Sequence, residues 1–123
     1  MSQLPEHKAD IDKLPALAKL PLTAEQLPPL LEWLQDMNWP VAEGVSHLLS
    51  AYPAALVPHI INVLHSDDAM WIYNVLKCIV LHSPPEVQRR YRTSLIRLAT
   101  TPTNDERGEE VDMLAARILG ELK

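Results

Sequence analysis

The chain has 123 residues, of which 47% are hydrophobic and 22% charged, with a formal net charge of -5; this describes one soluble domain large enough to bury a core. The acidic balance argues against non-specific nucleic-acid binding, no apolar run reaches the length of about eighteen residues that a membrane span needs, and the single cysteine, Cys78, excludes an intramolecular disulfide. The N-terminus MSQLPEHKADIDK is polar and lacks the apolar stretch of a signal peptide, so the cytoplasm is the default location.

Three glycines against eleven prolines leave few sites for hairpin turns, and no stretch alternates in the manner of a strand. Leu/Ala/Val/Glu-rich stretches lie between the prolines, and the expected fold class is all-α, with about seven helices. Segment 10–20 predicts a first helix weakened by Pro15. In 28–35, Leu30, Leu31 and Leu34 share one side, with Leu27 just ahead. Pro28 and Pro29 predict a short turn and a restart there. Trp33 falls about 120° from this stripe, either packed on the first helix or exposed. In 40–51, Val41, Val45, Leu48 and Leu49 form a stripe; in 54–65, Leu56, Ile60, Val63 and Leu64 do, with Pro58 expected to kink or delay the helix. Segment 69–82 carries Trp71, Ile72, Val75, Leu76 and Ile79 on its broadest face and predicts the most buried helix. Val87, Tyr91, Leu95 and Leu98 line up in 85–100; Val111, Leu114, Ala115, Ile118, Leu119 and Leu122 do so in 106–122. Pro40 and Pro53 suit first helical turns. Asn38, Asp67 or Asp68, Ser83 and Asn104 are suitable N-caps, and Thr23 with Gln26 has capping-box spacing.

Asp-x-x-Trp occurs at Asp36–Trp39 and again at Asp68–Trp71, each time after a leucine-rich helix and before an apolar one. A degraded third copy follows Leu98 at Asn104-Asp105. An offset of about 32 to 37 residues suits stacked helix pairs. The motif reads as structural: the Asp caps the second helix and the indole packs across the junction. LLEWLQDMNWPVAEGVSHLL resembles a HEAT unit, although the second-helix arginine usual in such repeats is absent and Ala42 follows Val41. With the later Asp-Asp-x-Met-Trp and Tyr73, it is similar to a family of small bacterial HEAT-like domains of unknown function. The resemblance covers about residues 25–100 and implies a right-handed stack of about three helix pairs and no activity; with no linker dividing the chain, 10–123 reads as one domain behind a flexible tail at 1–9.

Catalytic signatures are missing. The five histidines, His7, His47, His59, His65 and His82, include no i, i+4 pair. Cys78 lies in the most apolar helix and reads as a buried structural thiol. No Gly-rich phosphate loop or Gly-x-Ser-x-Gly occurs, so no cofactor, metal or catalytic residue is assigned.

Charge is unevenly placed. No Lys or Arg stands between Lys19 and Lys77, where Glu25, Glu32, Asp36, Glu43, Asp67 and Asp68 remain. Arg89, Arg90, Arg92 and Arg97 follow, beside the acids Glu106, Glu109, Glu110 and Asp112 with which they can pair. The leading expectation is a non-catalytic protein-binding module that meets a basic partner through Glu25, Glu32 and Glu43, with Trp33 as an anchor if exposed. A bacterial immunity or regulatory protein fits this by analogy. The alternatives are a ligand-binding or enzymatic pocket around Trp39, Trp71 and Asp68, and a nucleic-acid adaptor built on the Arg89–Arg97 helix.

Overall fold

Proline marks where most of the helices begin, because its fixed φ and missing N–H suit the first helical turn. The computed structural model describes residues 4–19 and 21–122; these are all-α, with no strand among them. Residues 1–3 of the N-terminal stretch, Leu20 at the end of the expected first helix, and Lys123 lie outside the described residues. Helix α1 is Leu14–Ala18, entered through a 3-10 turn at Ile11–Lys13. Pro15 stands in its first turn, so it starts a short helix where the sequence suggests a weakened longer one. Helix α2, Leu27–Leu31, takes both Pro28 and Pro29 into its first turn. The expected break therefore falls before it, at the Thr23–Gln26 turn, where the Gln26 side chain accepts from the Thr23 N–H at 2.9 Å. The chain then tightens into a 3-10 segment, Glu32–Gln35.

Helices α3, Pro40–Leu49, and α4, Pro53–Leu64, follow. α4 runs through Pro58 without a delay, and Pro58 faces solvent. Helix α5, Ala69–Cys78, starts on Asp68, whose carboxylate accepts from the Trp71 N–H at 3.1 Å. It stops at Ile79, and a 3-10 turn at Val80–His82 completes the expected 69–82 segment. Helix α6, Pro85–Gln88, leads through Arg89–Tyr91 into α7, Arg92–Thr100. Helix α8, Asn104–Gly108, is separate from α9, Val111–Glu121, because Glu110 between them adopts φ 62°. The single helix expected over 106–122 is thus two.

Several caps differ from the expected residues by one position. Trp39 precedes Pro40 in extended backbone, and Asp36 instead accepts from the Asn38 N–H at 2.9 Å, closing its own turn. Pro84 caps α6, while the Ser83 hydroxyl donates back to the Ile79 carbonyl. Thr103 caps α8 with a reciprocal box to Glu106. Thr succeeds where Asn104 does not because Glu106 stands three residues after it.

One continuous apolar cluster runs from Leu17 to Ile118. α5 lies at its centre, against the 3-10 segment after α2, against α4 and against α9, and α7 packs along α9. Within the stretch read as a tail, Pro5 is buried and the Lys8 carbonyl accepts from the Val41 N–H at 2.8 Å. Two buried amides tie the pieces together. Asn74 donates to the Leu34 carbonyl at 2.7 Å, and Gln88 donates to the Val80 carbonyl at 2.9 Å. Each satisfies a backbone acceptor that a short helix leaves over.

Candidate recognition surface

The acids of the lysine-free stretch are placed by turns and helix starts. Glu25 stands in the turn before α2, Glu32 opens the 3-10 segment after it, and Glu43 lies in the first turn of α3; all three are exposed. Glu43 lies 3.9 Å from His47, one turn on. Glu25 and Glu32 make no ion pair among the described residues. None of the clefts lined by Trp71, Asp68, Arg97 or Cys78 brings the three together.

The tryptophans separate. Trp33 is half-buried and meets Trp39 edge to face, with ring centroids 5.7 Å apart and planes at 78°. It is therefore not the freely exposed anchor that one of the two expected alternatives describes. Trp71 is half-buried where a core position was expected, since its indole N–H reaches out of α5 to the Leu31 carbonyl at 3.0 Å. Its ring closes a cleft of about 190 Å³ between α2, α4 and α5. Buried Leu31 and Val63 line this cleft, together with Glu32, Asn62 and half-buried His59. Asp68 borders a different, open depression with Asp67, Asn104 and Asp105. Trp71 and Asp68 thus line different clefts, and Trp39 lines neither of them.

The basic helix is partly neutralised. Arg97 makes a two-pronged bond to Glu106, Nη1 to Oε1 at 3.0 Å and Nη2 to Oε2 at 2.8 Å. Burial pushes the Glu106 carboxyl up, but Arg97 and Thr103 together hold it below its ordinary value of 4.5. Arg90 and Arg92 are exposed and make no ion pair among the described residues.

Cys78 is half-buried where the sequence suggests a buried structural thiol. It lines a cleft of about 420 Å³ with Ser46, His47, Ser50, Lys77 and His82. Burial pushes its thiol above the ordinary 9.0, against the pull of Lys77. Both serines there donate to backbone carbonyls of α3, Ser46 to Glu43 and Ser50 to Ser46, each at 2.7 Å. The Ser94 hydroxyl and His65 Nε2 are 3.4 Å apart, long for a pair that moves a proton. No group of three His, Cys, Asp or Glu among the described residues is placed to hold a metal ion. No helix among them is long and apolar enough to cross a membrane.

Sequence reasoning missed Asn74 and His59. A polar Asn74 three residues after Trp71, on an otherwise apolar face, was the available signal for the first. His59 carries no local signal; only the packing of α2 beside α4 brings it to the cleft.

The model of a family described as a domain of unknown function (DUF5071) matches residues 3–119. No curated protein matches the chain.

Proposed function

We propose, for a chain that belongs to the DUF5071 domain family, a non-catalytic protein-binding role on a HEAT-like stack of helix pairs, with a basic protein as partner. The stacking reading draws on the order of contacts. α2 lies against α4, the Arg89–Tyr91 turn that enters α7 lies against α4, and α5 lies against α9, so successive pairs neighbour one another. The reading takes 10–123 as one domain and the cytoplasm as its setting.

One observation carries the binding role: Glu25, Glu32 and Glu43 are exposed in a stretch that contains no Lys or Arg from 20 to 76. The basic helix, by contrast, spends Arg97 on the bond to Glu106. An uncompensated acidic surface steers and selects a basic partner. The Arg89–Arg97 alternative loses one of its cations to Glu106.

The test uses two baits, the wild-type chain and the triple variant Glu25→Lys, Glu32→Lys, Glu43→Lys. Basic proteins retained by the first and lost by the second are the expected result, with association slowing as salt rises for the wild type alone. Capture of the same proteins by both baits overturns the acidic-surface reading.

A further inference from the structure

We propose that the cleft between α2, α4 and α5 receives one apolar side chain of a partner segment, while a Lys or Arg beside that side chain pairs with Glu32. This rests on the protein-binding reading and gives it a place.

Four observations fix the chemistry of the occupant. The cleft measures about 190 Å³, below the roughly 300–1,000 Å³ of sites for cofactors and drug-sized molecules. Its scale is that of a single anchoring side chain. Its lining is apolar at depth: Leu31 and Val63 are buried and the Trp71 ring forms a wall. The Trp71 N–H is already held by the Leu31 carbonyl at 3.0 Å, so the indole presents hydrocarbon and no free donor.

The fourth observation is charge. Glu32 is the one acid of the lining, is exposed, and forms no ion pair among the described residues. The residues that line the cleft, from Pro28 to Trp71, all lie within 20–76, where no Lys or Arg occurs. No lining residue is a Lys or Arg, so the proposed counter-charge is the partner's. A phosphate or carboxylate ligand is disfavoured by the same carboxylate, and a basic-apolar peptide is favoured by it.

The experiment selects peptides from a phage-displayed random library on the full chain, then titrates the synthesised best binder. The expected binder carries Leu, Ile, Met or Phe next to Lys or Arg. Its affinity falls about tenfold with Glu32→Lys and with Asn62→Trp, an exposed position at the cleft whose enlargement blocks it. A peptide with its basic residue changed to Glu regains affinity for Glu32→Lys, which a merely structural effect of that variant does not produce. Binders indifferent to both substitutions overturn the cleft. An empty selection overturns it as well. Binding that instead follows Glu25→Lys and Glu43→Lys overturns the cleft while leaving the wider acidic surface standing. Concentration-dependent self-association abolished by Glu32→Lys overturns the assignment in favour of a second copy of the chain.

Discussion

Arg97 and Glu106 meet head-on across the turn between α7 and α8, two guanidinium nitrogens against two carboxylate oxygens at 3.0 and 2.8 Å. The Glu106 side chain is only 5% exposed, and the Arg97 side chain 38%. The same carboxylate accepts the Thr103 N–H at 2.9 Å, so one buried acid serves a cap and an ion pair together. Arg97→Ala leaves that carboxylate buried without its cation. The expected loss is about 2 kcal/mol, below the 3–5 kcal/mol of fully buried pairs because Arg97 is partly solvated. Glu106→Gln keeps the shape of the cap and loses less, about 1 kcal/mol. Urea denaturation of the two single variants and the double variant gives the coupling; strict additivity sinks the argument.

The same bond sets a pH dependence. The folded Glu106 pKa lies below its ordinary 4.5, so its contribution is fully present above about 4.5 and is lost as pH falls through the folded value. Wild-type stability should therefore decline more steeply below pH 4.5 than that of Glu106→Gln. Parallel profiles of melting temperature against pH speak against it.

Trp71 and Asn74, three residues apart on α5, donate to Leu31 and Leu34, carbonyls three residues apart at the end of α2 and in the 3-10 segment that continues it. Two donors at one helical spacing thus match two acceptors at the same spacing, which fixes the register of α5 along that segment. Asn74→Leu orphans a buried carbonyl and should cost about 1–3 kcal/mol. Trp71→Phe keeps most of the ring and should cost about 1 kcal/mol, while Trp71→Ala should cost about 2–3 kcal/mol, less than for a fully buried indole. Chemical denaturation decides; a Trp71→Phe variant weaker than Asn74→Leu contradicts this ordering.

Periodicity made the core legible. Leu56, Ile60, Val63 and Leu64 on α4 and Val87, Tyr91, Leu95 and Leu98 further on are buried as their spacing demands. Helix ends were legible only where a side chain announces them locally. Asp68 does so, but Thr103 outcompetes Asn104 through Glu106, and Asp36 closes a turn of its own. The candidate site was legible in half. The absence of Lys and Arg singled out Glu32, whereas the cleft beside it depends on α2 lying next to α4, a contact between segments with no shared local signal. Sharing a face with Ile72 and Val75 assigns Trp71 to the core, because periodicity does not register an indole N–H leaving that face for Leu31.

Glu110 at φ 62° occupies the left-handed region that favours glycine, while Gly108, two residues earlier, sits inside α8 with open space where a Cβ would go. The flexible residue and the strained position are thus out of step. Glu110→Gly should stabilise by about 0.5–1 kcal/mol, the relief of left-handed strain exceeding the added chain entropy. Gly108→Ala should add about 0.5–1 kcal/mol through helix propensity. The combined variant should melt several degrees higher, read by calorimetry; a lower melting temperature for Glu110→Gly means that its side chain is held by more than its backbone.

Cys78 offers a local probe of the end of α5. Burial holds its thiol above 9.0 and Lys77 works against that rise. The raised pKa lowers the thiolate fraction below that of a free cysteine, so iodoacetamide should modify the folded chain more slowly than a free cysteine peptide. Lys77→Ala removes the opposing charge and should slow modification further, while leaving the denatured chain nearly unaffected. Urea should accelerate the reaction as α5 unfolds. Folded and denatured chains reacting at one rate would place the thiol in full contact with solvent and remove the physical basis for the shift.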